Sequence, residues 1–388
     1  MTRRVRAILR IVGLLLRGSW RSPRHVDVLL LCPEGNDALV PLIGDASHAI
    51  LDPRERSINV RVALRCFARG RFGASDYIVE YTRRVRPAVL VTFLDNFWQF
   101  YALGPRLVGV RRIAVQNGVR GPSDDVFGFA MDAPRAVTAG WHVDEMCVFG
   151  PAVGREYAKY IGGGIRVIGS IRNNAHPLAK PSGPLIGYVS TWRSAVSLEQ
   201  RVAIHGGTRE VTVGEVYSQR DRLVTFLDRH ARSRGSRVLI IGKDPTHADR
   251  AHYAEVLGHS DFEYSARVDG DASYRAIDRP QIVVFSSSTL GYEALARGRR
   301  VAAFFTDIEL TRSRGERFGW PLDLPDDGPF WTHRYDEARF ATILDDLIRM
   351  NEEEWRLASA EIVSELIGFD PNNEIIRDVL RSALAARK

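Results

Sequence analysis

Residues 281–305 read QIVVFSSSTLGYEALARGRRVAAFF. The stretch opens on a β-branched apolar run, Ile282 to Phe285, passes three serines and a threonine, and turns helical from Leu290. Gly298 stops the helix, and Val301 to Phe305 is a second apolar strand. Strand, polar turn, helix, glycine and strand make one βαβ unit whose helix starts at the carboxyl end of a buried strand. Open α/β sheets bind ligands at such places. Ser288 or Thr289 can cap the helix, and Ser286 and Ser287 share its turn. The free N–H groups and positive dipole end of the helix suit a phosphate. Glu293, about one turn further in, is placed to accept hydroxyls of a ribose or sugar. An ordinary capped helix without a ligand carries the same pattern.

The alternation continues on both sides of this unit. Upstream, strand 185–190 delivers Ser190, Trp192 and Arg193 at its carboxyl end, and strand 237–241 delivers Gly242-Lys243-Asp244-Pro245. A helix over 216–232 lies between them, and residues 195–216 read as a long irregular loop. A short strand at 262–264 and a helix at 272–277 follow. Downstream, a polar segment to Trp331 precedes helices near 336–350 and 352–366 and from Asn373. The first part of the chain shows strands at 26–32, 39–43, 49–51, 88–94, 113–115 and 146–149. Helices are expected at 60–68, from Ser75 or Asp76 to Pro87, and at 151–161, with a surface loop over 121–140. Asp95 and Asn96 stand at the end of one strand, and Gln116-Asn117-Gly118-Val119-Arg120 at the end of another.

Residues 173–184, NNAHPLAKPSGP, break the periodicity and read as an interdomain linker. The fold class is therefore α/β: two doubly wound domains, 25–176 and 177–388, face each other across a cleft, and helices close the second. Polar residues from both halves meet there. Several of them, all at carboxyl strand ends, point to a nucleotide-dependent transferase.

Composition narrows the partners. The chain has 388 residues, 26% of them charged, with a formal net charge of +7. That favours anionic partners, and no basic tract interleaved with aromatics suggests nucleic acid. Cys32, Cys66 and Cys147 have neither disulfide nor zinc spacing and read as buried thiols. Residues 1–24 carry a basic amphipathic pattern. Drawn as a helix, Arg3, Arg6, Arg10 and Arg17 form one stripe, with Val5, Ile8, Leu9, Val12, Leu15 and Leu16 opposite. The segment is shorter than the ~20 apolar residues that span a bilayer. It fits a helix lying on the cytoplasmic leaflet, or one packed on its own domain with a solvated basic face. The expected location is cytoplasmic, peripheral on the inner face of the membrane.

FLDNFWQFY, IAVQNGVR, the CVFG…IGS-I-x-NN region and SSSTLGYEALARGRRVAAFF together resemble bacterial surface-carbohydrate (O-antigen) biosynthesis proteins of GT-B glycosyltransferase type. Capsule Kdo transferases, polysialyltransferases and CDP-glycerol glycerophosphotransferases are similar more distantly. The resemblance implies a donor-binding second half, an acceptor-binding first half, and a nucleotide sugar as substrate, CMP- or CDP-linked in many relatives. The acceptor is implied to be a glycan or a lipid-linked glycan. Where the glycerophosphotransferases keep a histidine, this chain has Gln116-Asn117-Gly118, and an amide cannot act as a general base. Several relatives carry a Lys or His-Pro turn in the donor domain, where this chain has Lys243-Asp244-Pro245; His247, two residues on, is either a substitute for that histidine or an exposed loop residue.

On this reading Lys243, Ser190, Arg193, the serine turn and Thr289 hold the donor phosphates, and Glu293 takes hydroxyls. Asp95 deprotonates the acceptor, which Asn96, Asn117, Gly118 and Arg120 orient. Asp95 equally suits an N-cap for the aromatic turn at 97–103, Arg120 a surface ion pair, and Lys243 a solvated loop. Asp269-Gly270-Asp271 reads as a turn and cap, so neither a metal nor a cofactor is expected. Two other readings use the same architecture: a nucleotide-sugar 2-epimerase, and a non-catalytic glycan- or nucleotide-binding assembly protein.

Overall fold

The computed structural model describes residues 18–52, 58–71, 73–122, 125–132, 138–202, 210–244, 246–311 and 317–386. Its first half is one parallel sheet of six strands: β1 (Val28–Leu31), β2 (His48–Leu51), β3 (Val89–Thr92), β4 (Arg111–Val115), β5 (His142–Val148) and β6 (Gly162–Val167). Their order is β2-β1-β3-β4-β5-β6. The inner strands are apolar throughout because a parallel sheet is covered on both faces. Leu29, Leu31, Leu90, Ala114 and Met146 pack on one side. Val28, Leu30, Val89, Val91, Ile113 and Cys147 pack on the other.

The second half repeats the plan with β7 (Ile186–Val189) at its centre. A two-residue hairpin, β8 (Arg201–Val202) and β9 (Val211–Thr212), stands apart from the main sheet. The sheet continues with β10 (Val238–Ile241), β11 (Glu263–Ser265), β12 (Ile282–Phe285), β13 (Val301–Phe304) and β14 (Trp331–Thr332). It runs β11-β10-β7-β12-β13-β14, again all parallel. The order reverses beside β7, which makes the carboxyl ends of β7, β10 and β12 the place where a ligand crevice opens.

Helices of seven residues or more among the described residues are α1 (Val60–Ala68), α2 (Ala74–Val85), α3 (Asp125–Asp132), α4 (Pro151–Ala158), α5 (Val213–Arg232) and α6 (Ala248–Leu257). They continue with α7 (Ala272–Asp278), α8 (Thr289–Ala296), α9 (Glu337–Arg349), α10 (Glu352–Leu366) and α11 (Glu374–Ala385). None of them is long and apolar enough to cross a membrane. The opening βαβ unit is β12, α8 and β13, as its sequence dictated. Several local expectations change. The strand expected at 39–43 is replaced by helical turns over 36–42, which open from Gly35 at φ +78° and carry Pro41 in the first turn of the second segment. Helix α3 occupies part of the expected loop at 121–140, burying Val126 and Phe127. Helix α6 had not been anticipated; its apolar residues show little helical periodicity. The expected basic helix lies almost wholly outside the described residues. Its end, 18–24, is extended: Ser19 N donates to Ile58 O at 2.8 Å, and Val60 N donates to Ser19 O.

The halves are joined by more than the linker. Arg297 forms a buried ion pair with Asp278 and donates to the carbonyls of Asn173, His176 and Pro177. It thereby pins the linker to the second half. Helix α10 ends against the first half, where Gly368 N donates to Phe149 O at 2.8 Å. Helix α11 then crosses over, and Ile376, Leu380 and Ala383 pack with Val89, Val91 and Ile113 of the first sheet. The chain therefore closes on the half in which it began.

Candidate active site

Between the facing strand ends lies a cavity of about 450 Å³. Four strand ends of the second half build it. Strand β7 contributes Ser190 and Arg193, β10 contributes Gly242 and Lys243, and β11 is followed by a loop with Arg267 and Gly270 and by α7 with Tyr274. Strand β12 contributes Ser287, Ser288, Thr289 and, one helical turn on, Glu293. The first half adds Asn117 and Arg172. Eight of the thirteen expected site residues therefore line one cavity: Asn117, Ser190, Arg193, Lys243, Ser287, Ser288, Thr289 and Glu293. Asp95, Asn96, Gly118, Arg120 and Ser286 stand behind or beside it.

The serine turn divides its labour. Ser288 is the N-cap of α8, and its hydroxyl accepts from Leu290 N at 3.3 Å. Thr289 Oγ1 accepts from Val119 N of the first half at 3.1 Å, so the helix start is also an interdomain contact. Gly118 fits there because it has no side chain: a Cβ would meet Thr289 Oγ1 at 3.3 Å. Ser287 is exposed, and its hydroxyl accepts from Arg220 at 3.0 Å. Ser286 is buried beneath the turn and does not reach the cavity. Ser190 Oγ is paired with Tyr253 and accepts from Trp192 N, so it shapes the β7 turn more than it faces a ligand.

Lys243 is the electrostatic centre. Asp249, fully buried, holds its backbone by accepting from Lys243 N at 2.8 Å. Partial burial and the neighbouring Arg193, Arg220 and Arg267 guanidiniums push the Lys243 ammonium down to about 8. Crowded positive charge of this kind suits an anionic ligand with more than one charge. Asp244 stands beside it, where some relatives have histidine. Its carboxylate accepts from Ser194 N and Oγ and from Thr246 N and Oγ1, and these bonds hold it well below the usual carboxylate range. Asp244 therefore staples two loops and has no capacity left for proton transfer. His247 is exposed in its loop, away from the cavity.

Glu293 bridges the halves. Its Oε1 accepts from Ser170 Oγ of the first half at 2.5 Å and from Tyr274 at 3.0 Å. Burial pushes its carboxyl above the usual range, against those two donors.

Asp95 corrects an expectation. Its side chain is fully buried. It accepts from Arg120 Nε at 2.8 Å, from a second Arg120 nitrogen, from Tyr157 at 2.6 Å and from Asn117 N at 3.3 Å. A carboxylate engaged by these donors and walled from the cavity is not placed to reach an acceptor hydroxyl. Nor is it the cap of the aromatic turn, which starts from Phe97 without a side-chain cap. Its role is to hold Arg120, whose guanidinium also donates to Asn117 Oδ1. Arg120 is accordingly a mostly buried clamp, not a surface ion pair. Asn96 follows Asp95, partly buried and outside the cavity wall.

Sequence reading missed Arg172, Arg267, Tyr274 and Tyr157. Arg172 follows the Gly169-Ser170 turn in a quoted motif and pairs with Asp37. Arg267 comes from a loop without any pattern, so only the fold reveals it. Asp269 forms the turn before α7, accepting from Asp271 N and Ala272 N and pairing with Arg275, while Asp271 is the N-cap and makes no side-chain cap bond.

Residues 113–384 match a family described as "putative O-antigen biosynthesis protein". No curated protein matches the chain. The wall teichoic acid polymerase TagF, soaked with CDPG, aligns over 93% of this chain and 89% of its own, with a TM-score of 0.51 at 11% identity. A variant of TagF aligns over 98% and 97%, with a TM-score of 0.50 at 10% identity. A "putative UDP-N-acetylglucosamine 2-epimerase from Listeria monocytogenes" aligns over 93% of this chain and 96% of its own, with a TM-score of 0.52 at 12% identity. These likenesses establish the GT-B fold.

Proposed function

The chain belongs to the O-antigen biosynthesis protein family, and from that premise we propose that it is a glycosyltransferase using a nucleotide-activated sugar. The observation that carries the reading is the convergence of Arg193, Lys243 and Arg267 with the Ser288-capped start of α8 in one cavity between the two halves. That set neutralises a leaving nucleotide phosphate, the charge that grows in the transition state. Because side chains supply this positive charge, the transfer is proposed to run without a metal ion or other cofactor.

Glu293 takes ribose or sugar hydroxyls from the floor of the cavity. The acceptor, a glycan or lipid-linked glycan, approaches from the first half past Asn117, which Arg120 and Asp95 hold in place. Attack from that side, opposite the phosphates, inverts the anomeric centre. A cytidine nucleotide is the first donor to test, since TagF was soaked with CDPG and the distant relatives named above use CMP- or CDP-linked donors. The basic pattern of residues 1–24 would bring the enzyme to the cytoplasmic membrane surface.

Incubation with a panel of CMP-, CDP- and UDP-sugars, followed by nucleotide release, tests the proposal. Transfer or slow donor hydrolysis supports it. An epimerised donor would establish the epimerase reading instead, and no turnover with tight nucleotide binding would establish an assembly protein.

A further inference from the structure

Three large apolar residues exposed among the described residues, Trp20, Leu64 and Phe67, lie on or beside α1, and none of them lines the cavity. Helix α1 buries Val60, Val62 and Cys66. On its outer side Leu64 is 49% exposed and Phe67 69% exposed, with Arg61 and Arg65 exposed beside them. Residues 19–22 run along its first turn: Val60 N donates to Ser19 O, and Arg61 donates to Ser22 Oγ at 3.2 Å. Trp20, 57% exposed, is thereby fixed beside the helix. The charge is one-sided. Arg69 pairs with Glu80 at 2.6 Å, while no described carboxylate pairs with Arg61 or Arg65.

An indole, a phenyl and a leucyl group set among guanidiniums match the layers of a bilayer interface. Indoles sit at headgroup depth, arginines meet lipid phosphates, and apolar tips reach the acyl boundary. We propose that this face of α1, with Trp20, is a docking surface for an anionic lipid bilayer. It is distinct from the basic stretch at residues 1–17, which leads directly into it. The proposal stands whatever reaction the cavity performs.

The test uses the full chain and vesicles of phosphatidylcholine with or without roughly one third phosphatidylglycerol. Binding is expected to the anionic vesicles alone and to weaken with salt. Leu64→Ser/Phe67→Ser should weaken it by about tenfold or more, since two apolar side chains lose their burial in the interface. Arg61→Glu/Arg65→Glu should weaken it comparably. Both variants keep residues 1–17, so unchanged binding would assign docking to that stretch and overturn the proposal. Because Cys32, Cys66 and Cys147 are all buried, Leu64→Cys can be labelled selectively with an environment-sensitive fluorophore. Its emission should shift to the blue on adding anionic vesicles. No shift would refute the docking face. So would emission already blue without vesicles, or a lowered melting temperature in Leu64→Ser/Phe67→Ser, because each would show the face covered by this chain or a second copy.

Discussion

At the scale of single residues, position 95 separates burial from chemistry. An aspartate at a strand end facing a cleft has the placement of a base, and the sequence cannot show that Arg120 and Tyr157 consume its lone pairs. The structure therefore changes what Asp95→Asn should do. It leaves the Arg120 guanidinium without its countercharge in a mostly buried site, at a cost of about 3–5 kcal/mol. Thermal melting should show a clear fall in stability, largely restored in Asp95→Asn/Arg120→Met, where neither charge remains. An unchanged melting temperature together with lost turnover would reinstate Asp95 as the base. Lys243 has the opposite character, being poised by its neighbours to respond to a ligand. Its ammonium is lowered to about 8, and a bound phosphate must raise it. Binding then takes up protons above pH 8, so affinity falls as pH rises through that value, by at most about tenfold per unit. Calorimetry with CDP between pH 7 and 9.5 should show this slope in the native protein and none in Lys243→Arg, whose charge does not titrate. A slope retained in the arginine variant would assign it to another group.

Elements were legible wherever one physical signal dominated. Strands β1, β3, β10 and β12 are apolar runs buried on both faces, and α8 carries its own cap and glycine stop, so each was readable from a dozen residues. Helix α3 was not, because Gly, Pro and Asp around it outweighed a short apolar face that is defined only by packing. The cavity was half legible for the same reason: residues at strand ends follow from the strands, whereas Arg267 depends on where a patternless loop comes to rest. The packing of α8 on β12 was written in the sequence but could not be weighed there. Gly291 lies so close to Phe285 that a Cβ would sit 2.0 Å from its ring. That ring makes edge-on contacts with Tyr292, Phe305 and Phe318 and has no room to yield. Gly291→Ala, which by helix propensity alone should stabilise, is instead expected to cost about 1–3 kcal/mol or more. It should also shift the helix start that Ser288 caps, weakening nucleotide binding beyond the loss of stability. A variant as stable as the native protein would show that α8 can move off β12 freely.

For the whole molecule, the decisive feature is the return of the chain to its starting half. Asn373 accepts from Asn174 at 3.0 Å and donates to Ile171 O at 2.8 Å, fixing the point where α11 leaves the second half. From there Ile376, Leu380 and Ala383 cover one face of the first sheet, each nearly or fully buried. Removing residues 374–388 should therefore damage the half farthest away in sequence. Uncovering Val89, Val91 and Ile113, together with losing those three side chains, is expected to cost on the order of 5 kcal/mol. Hydrogen exchange should show β1, β3 and β4 losing protection first, while β7, β10 and β12 keep theirs and the nucleotide cavity loses mainly its Asn117 and Arg172 wall. Affinity for a free nucleotide should then fall less than turnover with an acceptor, because the donor groups stay on the intact sheet. If β7, β10 and β12 lose protection together with β1, β3 and β4, the two halves unfold as one unit. The buried Arg297–Asp278 clasp, not α11, would then be what couples them.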